Sequence, residues 1–247
     1  MSIDDVKGHG ECRRESLVAS AAGVTRATRL SLFGEQMVQA VGKGAYAHAD
    51  EGKYFIATNP TPGTGIAGLA AADGYDDEQA LCIIQNTATA GSDVRLYLDY
   101  IKLQTTVAGT NGTNVTWATH IDESARYVSG GTTYTPTNLN LDSNETANAT
   151  VYFGAVVASA AGSTAVKLGS GNLRTAITVV GDEYTLDFGG PRVADSGNIV
   201  AGSAIAKLRV AHCPVVLSPQ DCLILAVNAA SQTVASQFEF EVGFWER

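Results

Sequence analysis

The chain has 247 residues, enough for one large all-β domain or two small ones, and enough to bury a core without disulfides or bound metal. Hydrophobic residues make up 45% of it and charged residues only 17%, and its 26 glycines suit closely packed strands that alternate with turns. The net charge of −9 opposes the cationic surface that phosphate backbones require, so we expect no nucleic-acid partner.

Residues 1–36 differ from the rest of the chain. They contain four arginines, no proline, no aromatic residue before Phe33, and a helix-compatible run from Glu15 to Ala22. Their apolar positions follow no clean strand period. We therefore predict an extended or partly helical N-terminal arm over residues 1–36, which becomes ordered on contact with neighbouring chains. One β-sandwich domain is predicted to follow over residues 37–247.

Apolar and polar residues alternate with a period of two from Val38 onward, which indicates strands with one buried face. The pattern is clearest in Asp93–Tyr100 and Glu183–Phe188. Near the end of the chain, Glu239 and Glu241 share one face and four large apolar residues share the other. These four are Phe238, Phe240, Val242 and Phe244. We predict that this last strand is central in its sheet and buries all four side chains.

Eight further segments are predicted to be strands: Lys53–Thr58, Ala80–Asn86, Thr113–Thr119, Thr150–Ala158, Thr175–Val180, Ala204–Val210, Pro214–Leu217 and Cys222–Val227. Turns are predicted at Asn111-Gly112, Gly130-Gly131, Gly181-Asp182 and Ser218–Asp221. The segments 104–116 and 129–150 are predicted to be long exposed loops of the kind that contact partners. Short strands without a long amphipathic helix between them favour an antiparallel β-sandwich, and within that class a jelly roll.

The segment Gly63–Gly68 has the GxGxxG spacing of a dinucleotide site and follows a strand-like run. That fingerprint requires the glycine turn to open a helix whose N-terminus holds the pyrophosphate. Here Asp73-Gly74 ends the run after two turns, and Pro60 and Pro62 crowd its entry. We predict a flexible Gly/Pro loop and no cofactor.

Four carboxylates are close together in the sequence, at Asp73, Asp76, Asp77 and Glu78. Carboxylate oxygens are ligands that calcium prefers, but this spacing departs from the EF-hand loop. We interpret the segment as a solvated acidic loop and predict no metal site, with calcium binding as the alternative.

No arrangement of residues points to catalysis. Glu239 and Glu241 could form the carboxylate pair of a glycoside hydrolase, but that chemistry needs carboxyl groups that face each other across a cleft. Neighbouring positions on one strand instead favour an exposed face. The histidines are scattered, without the spacing of metal ligands or of a nucleophile and its base: His9, His48, His120 and His212. We predict that the protein is not an enzyme and assign no catalytic residue.

The tryptophans and cysteines are predicted to be structural. Trp117 and Trp245 lie in strand-like patterns and are expected to be core or interface anchors. The cysteines have neither CxxC spacing nor the density of a disulfide-rich domain, so we expect reduced thiols in the core. They are Cys12, Cys82, Cys213 and Cys222.

The first residues, Met1–Asp5, do not have the basic patch and apolar run of a signal peptide. No run of about 18 apolar residues, the length of a membrane-spanning helix, occurs in the sequence. We therefore expect a soluble protein that is made in the cytoplasm and has no membrane partner.

Several short segments, taken together and in order, resemble a family of virion structural proteins of tailed bacteriophages. They are Leu32–Glu35, Gly42–Gly44, Gly52–Phe55, Val94–Tyr100, Leu173–Ile177, Val180–Asp182 and Phe238–Arg247. The resemblance extends over roughly residues 31–247. It implies a jelly-roll or related β-sandwich on the capsid exterior, often a trimer between capsomers, which acts as a decoration or cement protein and has no catalytic residues.

We accordingly expect a homotrimer on the capsid surface of the virion, in contact with the major capsid protein or other virion proteins. Closed cyclic symmetry is the common arrangement of homo-oligomers, which favours the same expectation. Two alternatives are a receptor- or carbohydrate-binding tail or fibre protein and a glycan-degrading enzyme. Aromatic residues, 7% of the chain, lie mostly at core-like positions, which leaves few for sugar platforms. An enzyme would need polar groups that converge in a pocket.

Overall fold

The computed structural model describes residues 16–19, 25–28, 44–68, 76–162, 164–189 and 205–247. The chain divides into two compact units, Met1–Tyr46 and Ala47–Arg247. Most of the predicted arm, together with His9, Cys12 and Asp73, lies outside the described residues.

In the first unit, β1 (Ser16–Ala19) pairs antiparallel with β2 (Thr25–Thr28). Ser16–Ala19, the described part of the helix-compatible run Glu15–Ala22, is extended. An isolated helix of this length is too short to be stable alone. Pairing two short strands satisfies backbone groups of both segments instead.

The second unit contains the sandwich and is preceded by α1 (Gly44–Asp50), which crosses the boundary between the units. Its strands are β3 (Tyr54–Thr58), β4 (Ile66–Ala67), β5 (Gln79–Asn86), β6 (Leu96–Val107), β7 (Thr113–Asp122), β8 (Tyr127–Tyr134), β9 (Thr137–Asn138), β10 (Ala149–Ala158), β11 (Val166–Arg174), β12 (Glu183–Phe188), β13 (Lys207–His212), β14 (Val216–Leu217), β15 (Cys222–Ala230) and β16 (Gln237–Glu246). No helix in the described ranges is long and apolar enough to cross a membrane.

These strands form two sheets. The six-stranded sheet has the order β11-β7-β15-β5-β10-β8. The eight-stranded sheet has the order β13-β12-β6-β16-β3-β9, with β14 paired to β6 and β4 paired to β16. All pairs in both sheets are antiparallel except β12–β13, which is parallel. The predicted antiparallel sandwich is confirmed.

Late strands lie between early strands in both sheets. β15 lies between β5 and β7, and β16 lies between β3 and β6. Jelly rolls also close their two sheets through long-range connections of this kind, although a simple jelly roll has eight strands in all. The last strand is therefore central, as predicted, and its removal would leave β3 without its main neighbour.

The core lies between the two sheets and contains the predicted face of β16. Phe238, Phe240, Val242 and Phe244 are all buried. The ring of Phe240 stacks on Phe153 of the facing sheet, with 4.1 Å between ring centroids. The alternation along β16 arises because successive side chains of a strand point to opposite faces.

Predicted and observed strand boundaries agree best where one face is buried. Glu183–Phe188 is observed with the predicted limits, whereas the strand predicted at Asp93–Tyr100 is displaced and extends from Leu96 to Val107. The strand predicted at Thr175–Val180 is wrong, because the strand is Val166–Arg174 and the chain turns after it. Residues 104–107, predicted as loop, belong to β6. Residues 113–116, which the predicted loop 104–116 shared with the predicted strand Thr113–Thr119, belong to β7, as that strand prediction has it.

A second correction concerns Gly130-Gly131, which were predicted to form a turn within an exposed loop. Both have positive φ, but they lie inside β8, which pairs with β10. The strand was missed because it is at a sheet edge and most of its side chains are exposed, so no period of two marks it. The predicted turns at Asn111-Gly112, Gly181-Asp182 and Ser218–Asp221 agree with the structure.

The expectation of reduced thiols is confirmed for the three described cysteines, which are all free. Cys82 and Cys222 are buried, and Cys213 is half-buried. Burial raises the pKa of the Cys222 thiol to about 11, so it stays protonated at neutral pH. Trp117 is a buried core residue, as predicted, whereas Trp245 is only partly buried.

Candidate functional site

The outer face of the eight-stranded sheet has a group of polar and aromatic side chains that contact one another. A bulge in β6 creates it: Gly243 pairs with Tyr100 and Phe244 pairs with Leu98, so Asp99 is an extra residue. Leu98 is buried, while Asp99 and Tyr100 are both half-exposed on the outer face. The bulge therefore places a carboxylate beside a phenol.

Two phenol–carboxylate pairs lie over Gly243. The Tyr54 hydroxyl donates to Asp99 Oδ2 at 2.7 Å, and the Tyr100 hydroxyl donates to Glu241 Oε1. A Cβ atom at Gly243 would lie 2.5 Å from the Tyr100 ring and 2.6 Å from the Tyr54 hydroxyl, so only glycine fits beneath them. Burial, together with these carboxylates, raises the pKa of both tyrosines, which keeps them protonated as donors.

Next to these pairs, aromatic rings form a stack around Trp245. Its ring is nearly parallel to the rings of His48, at 5.1 Å between centroids, and Tyr97, at 5.6 Å. Tyr54 is a third neighbour at 6.5 Å. We call His48, Tyr54, Tyr97 and Trp245 the ring stack. It joins α1, β3, β6 and β16 on one surface.

The two glutamates of β16 have separate partners. Glu241 accepts from Tyr100, and Glu239 accepts from the backbone N–H of Gly63. Both are half-buried side by side on one strand, not on facing walls of a cleft. The prediction that this face is simply exposed is therefore incomplete, because each carboxylate is half-buried and accepts a hydrogen bond from another segment of the chain.

The GxGxxG segment is one of these anchored elements. Gly63 has φ of +80° and donates to Glu239, and Ile66–Ala67 form β4 against β16. A side chain at Gly65 would collide with Thr106. The segment thus forms a turn and a short strand with no helix to hold a pyrophosphate, and it is pinned to the sheet where flexibility was predicted.

A shallow concavity of about 330 Å³ continues this surface toward β12 and β13. Three of its four charged residues form ion pairs with one another or with a neighbour. Lys102 lies 3.9 Å from Glu183, and Arg209 donates to both carboxylate oxygens of Asp187. The charges are therefore largely compensated within the surface.

Asp77, from the predicted acidic loop, belongs to a buried polar network at one end of the six-stranded sheet. Arg126, which is 1% exposed, donates to Asp77 Oδ2 at 3.3 Å and to the carbonyl oxygen of Ser159 at 2.8 Å. Asp76 accepts from the backbone N–H of Glu78. Within the described ranges, no three His, Cys, Asp or Glu side chains converge as metal ligands.

Asp122 is the second carboxylate of this network, 3.9 Å from Arg126. It accepts from the backbone N–H of Gly162 at 3.0 Å and from the backbone and hydroxyl of Ser124. Desolvation would raise the pKa of Asp122, but these hydrogen bonds and the arginine outweigh it and lower the pKa. The ionised carboxylate therefore holds together the loops at this end of the sheet.

Another buried ion pair, elsewhere in the sandwich, was not predicted from the sequence. Arg174 and Asp182 are fully buried, with two contacts of 2.7 and 2.8 Å. Asp182 also accepts from the Tyr184 hydroxyl and from the backbone N–H groups of Val179 and Ala206. Charged residues are rarely fully buried, so sequence patterns place them at the surface. The one sequence signal for this ion pair was that Arg174 and Asp182 are only eight residues apart, with the turn at Gly181 between them.

The described histidines are placed as structural side chains. His212 is buried between Trp117 and Phe188, with ring centroids at 5.0 and 5.1 Å, and burial lowers its pKa. His120 is half-buried on β7, where burial again lowers the pKa. His48 belongs to the ring stack. The three are not brought together at one site.

The loop between β9 and β10 is a second candidate surface, which we call the asparagine loop (residues 138–145). The Asn138 side chain donates to the Gly52 carbonyl at 2.9 Å, and the Asn140 side chain donates to the Asp50 carbonyl at 3.0 Å. Lys53 forms an ion pair with Glu145 at 3.0 Å. These contacts hold the loop in place while Leu141 is 89% exposed and Leu139 is 48% exposed.

Comparison of the chain with protein-family models, with curated proteins and with solved structures finds no match.

Proposed function

We propose that the protein is a non-enzymatic structural protein of a bacteriophage virion, which binds the capsid exterior as a decoration or cement protein. It would act as a homotrimer in contact with the major capsid protein. The observation that carries this proposal is the asparagine loop, where a network of side-chain hydrogen bonds fixes two exposed leucines on the surface. Exposed apolar groups on a rigid support are typical of protein contact surfaces.

Ion pairs within the sandwich also support a structural role. The Arg174–Asp182 pair and the Asp122–Arg126 pair lock loops at different places in the fold. The phenol–carboxylate pairs connect neighbouring strands on the outer sheet face.

A receptor- or carbohydrate-binding role is the second candidate, because the ring stack lies on the outer face beside Asp99. Aromatic rings and carboxylates are common in sugar sites. A panel of bacterial surface glycans, read by quenching of Trp245 fluorescence, tests this role. Saturable quenching that is lost in Tyr97→Ala would favour it over decoration.

Co-sedimentation of the purified protein with phage heads that lack it tests the first proposal. We expect saturable binding that falls by about tenfold in Leu141→Asp, as expected for loss of a central apolar contact. Val180→Asp is the matched control, since Val180 is similarly apolar and exposed in another loop. Equal binding by both variants, or none by the wild type, would overturn the proposal.

A further inference from the structure

The two sheets approach each other at one edge of the sandwich, which is formed by β11 and β13. In the described part of the chain, β11 pairs only with β7 in the six-stranded sheet, and β13 pairs only with β12 in the eight-stranded sheet. β11 and β13 also contact each other. Strands with one neighbour open locally at a lower cost than central strands do. The side chains between β11 and β13 therefore help to decide whether this edge stays closed.

His212, the last residue of β13, lies between these strands and is 6% exposed. Its ring meets the ring of Trp117 on β7 edge to face, with 5.0 Å between centroids, and stacks on Phe188 of β12 at 5.1 Å. A Cβ atom at Gly169 of β11 would lie 3.0 Å from Cε1 of the imidazole. One ring of β13 thus lies against β7, β11 and β12.

This position suits a neutral imidazole and not a protonated one. Nε2 of His212 is buried without a hydrogen-bond partner. A protonated imidazole has two N–H donors and a positive charge, and both are costly to bury without partners. Aromatic rings attract cations, but Trp117 and Phe188 offer no oxygen that accepts from an N–H. Burial accordingly lowers the pKa of His212.

The ionisable groups of the surrounding strands do not compensate a charge on this ring. On the inner faces they are Arg174 and Tyr184, which both bind Asp182. Tyr184 is four residues from Phe188, the register partner of His212, and so lies about 13 Å away along β12. The other ionisable side chains of these strands alternate with the inner-face residues and point outward, and the half-buried Cys213 follows β13. The outward group consists of His120, Asp122, Lys167, Glu183, Asp187, Lys207 and Arg209.

We propose that His212 is a latch between the two sheets, which holds β11 and β13 together while its ring is neutral and releases this edge when the ring is protonated in mildly acidic solution. Opening gives both N–H groups of the protonated ring access to water, which the closed edge denies them. Central strands such as β5 and β15 have a neighbour on each side and should stay paired. The latch goes beyond the proposed function, because it acts on the sandwich itself and requires no virion.

The pH range of the latch follows from the direction of the pKa shift. The pKa of His212 is lowered in the closed state and returns to about 6.5 when the edge opens. Above that value the ring is neutral in both states, so His212 does not favour opening. Below it, each fall in pH favours the open state until the lowered pKa is reached. If the closed ring stays neutral, opening is favoured roughly 25-fold more at pH 5 than at pH 7.

Hydrogen exchange followed by mass spectrometry tests the latch strand by strand. Protection factors are measured at pH 7 and pH 5, each against the unfolded chain at the same pH, because the intrinsic exchange rate itself depends on pH. We expect the protection of β11 and β13 to fall by about tenfold or more at pH 5, and that of β5 and β15 to change by less than about twofold. An equal change in all four strands, or no change in β11 and β13, would overturn the latch.

Substitution of His212 tests whether this residue is responsible. His212→Phe keeps a ring between the two sheets, and His212→Gln is the smaller choice if that ring does not fit beside Gly169. Both remove the titrating group and should abolish the selective fall in protection. His120→Gln is the matched control, since His120 is half-buried on the other face of β7 and burial also lowers its pKa. A fall that persists in the His212 variants, or that His120→Gln also abolishes, would overturn the latch.

An NMR titration of the histidine rings in the wild type needs no folded variant. We expect the pKa of His212 to lie below about 6.5, because the closed edge excludes the charged ring. A pKa at or above about 6.5 would show that the neighbouring aromatic rings stabilise the imidazolium, and it would overturn the latch.

Discussion

Buried charges in this sandwich are tied to specific loops. Arg174 holds Asp182 in a fully buried pair, whereas Arg209, with 64% of its side chain exposed, pairs with Asp187 at the surface. Removing one partner of a buried pair leaves a charge without compensation, while exposed pairs contribute little. An arginine–aspartate pair should therefore contribute more to stability at Arg174–Asp182 than at Arg209–Asp187.

We expect Arg174→Met to lower the free energy of unfolding by about 3–5 kcal/mol, and Arg209→Met to lower it by no more than about 1 kcal/mol. Denaturant unfolding of both variants measures the difference. Similar values for the two would show that the Arg174–Asp182 pair is hydrated in solution.

The two faces of β16 should also differ in how much their side chains contribute to stability. Phe240→Ala should lower the free energy of unfolding by about 3–5 kcal/mol, because it removes a core ring and leaves a cavity. Glu241→Gln keeps an oxygen that accepts from Tyr100 and should cost about 1 kcal/mol or less. Thermal unfolding compares them, and a cost for Glu241→Gln as large as that for Phe240→Ala would indicate a role for the charge that the structure does not explain.

The dependence of stability on pH should show how much the ionised carboxylate of Asp122 stabilises the fold. Its pKa in the folded protein is below the ordinary value, so its contribution is fully present above that ordinary value and is lost as the pH falls through the lowered pKa. We expect the wild type to lose more stability between pH 5 and pH 2 than Asp122→Asn does. Urea unfolding across this range measures it, and parallel curves would exclude ionised Asp122 as a stabilising group.

At the level of strands, the sequence predicts those that are buried on one face. β12 and the apolar face of β16 follow directly from alternation. β8 and β11 escape prediction because edge strands expose side chains on both faces, and their glycines resemble turn residues. A strand can be predicted from the sequence when its two faces differ in burial. The strength of its backbone pairing leaves no such pattern.

The candidate site was predictable only in part. Alternation places Glu239 and Glu241 on one face, but their partners, Gly63 and Tyr100, come from distant segments of the chain. The bulge that turns both Asp99 and Tyr100 outward has no signature in the sequence. Register between strands decides which side chains meet, and the alternation along β16 does not show which segments of the chain lie beside it.

The N-terminal arm should be separable from the sandwich. Residues 1–36 lie in the first compact unit, and the sandwich core is formed by the second. Deletion of residues 1–36 should leave the unfolding transition of the sandwich in place and abolish co-sedimentation with phage heads. Loss of the cooperative transition in the truncated chain would instead make the arm part of the core.

At the scale of the whole molecule, the fold combines a closed core with a few rigid, partly apolar surfaces. The asparagine loop and β8 are close to each other in the sequence. Both expose apolar side chains on a backbone that is held by hydrogen bonds. The asparagine loop is the surface that is proposed to contact the capsid.

Electron microscopy of intact particles is the most direct test of a role on the capsid exterior. We expect density that fits the two-sheet sandwich on the outside of the head, repeated by the symmetry of the shell, with the asparagine loop against the major capsid protein. Density for the sandwich at the tail or fibre alone, or its absence from purified particles, would contradict that role.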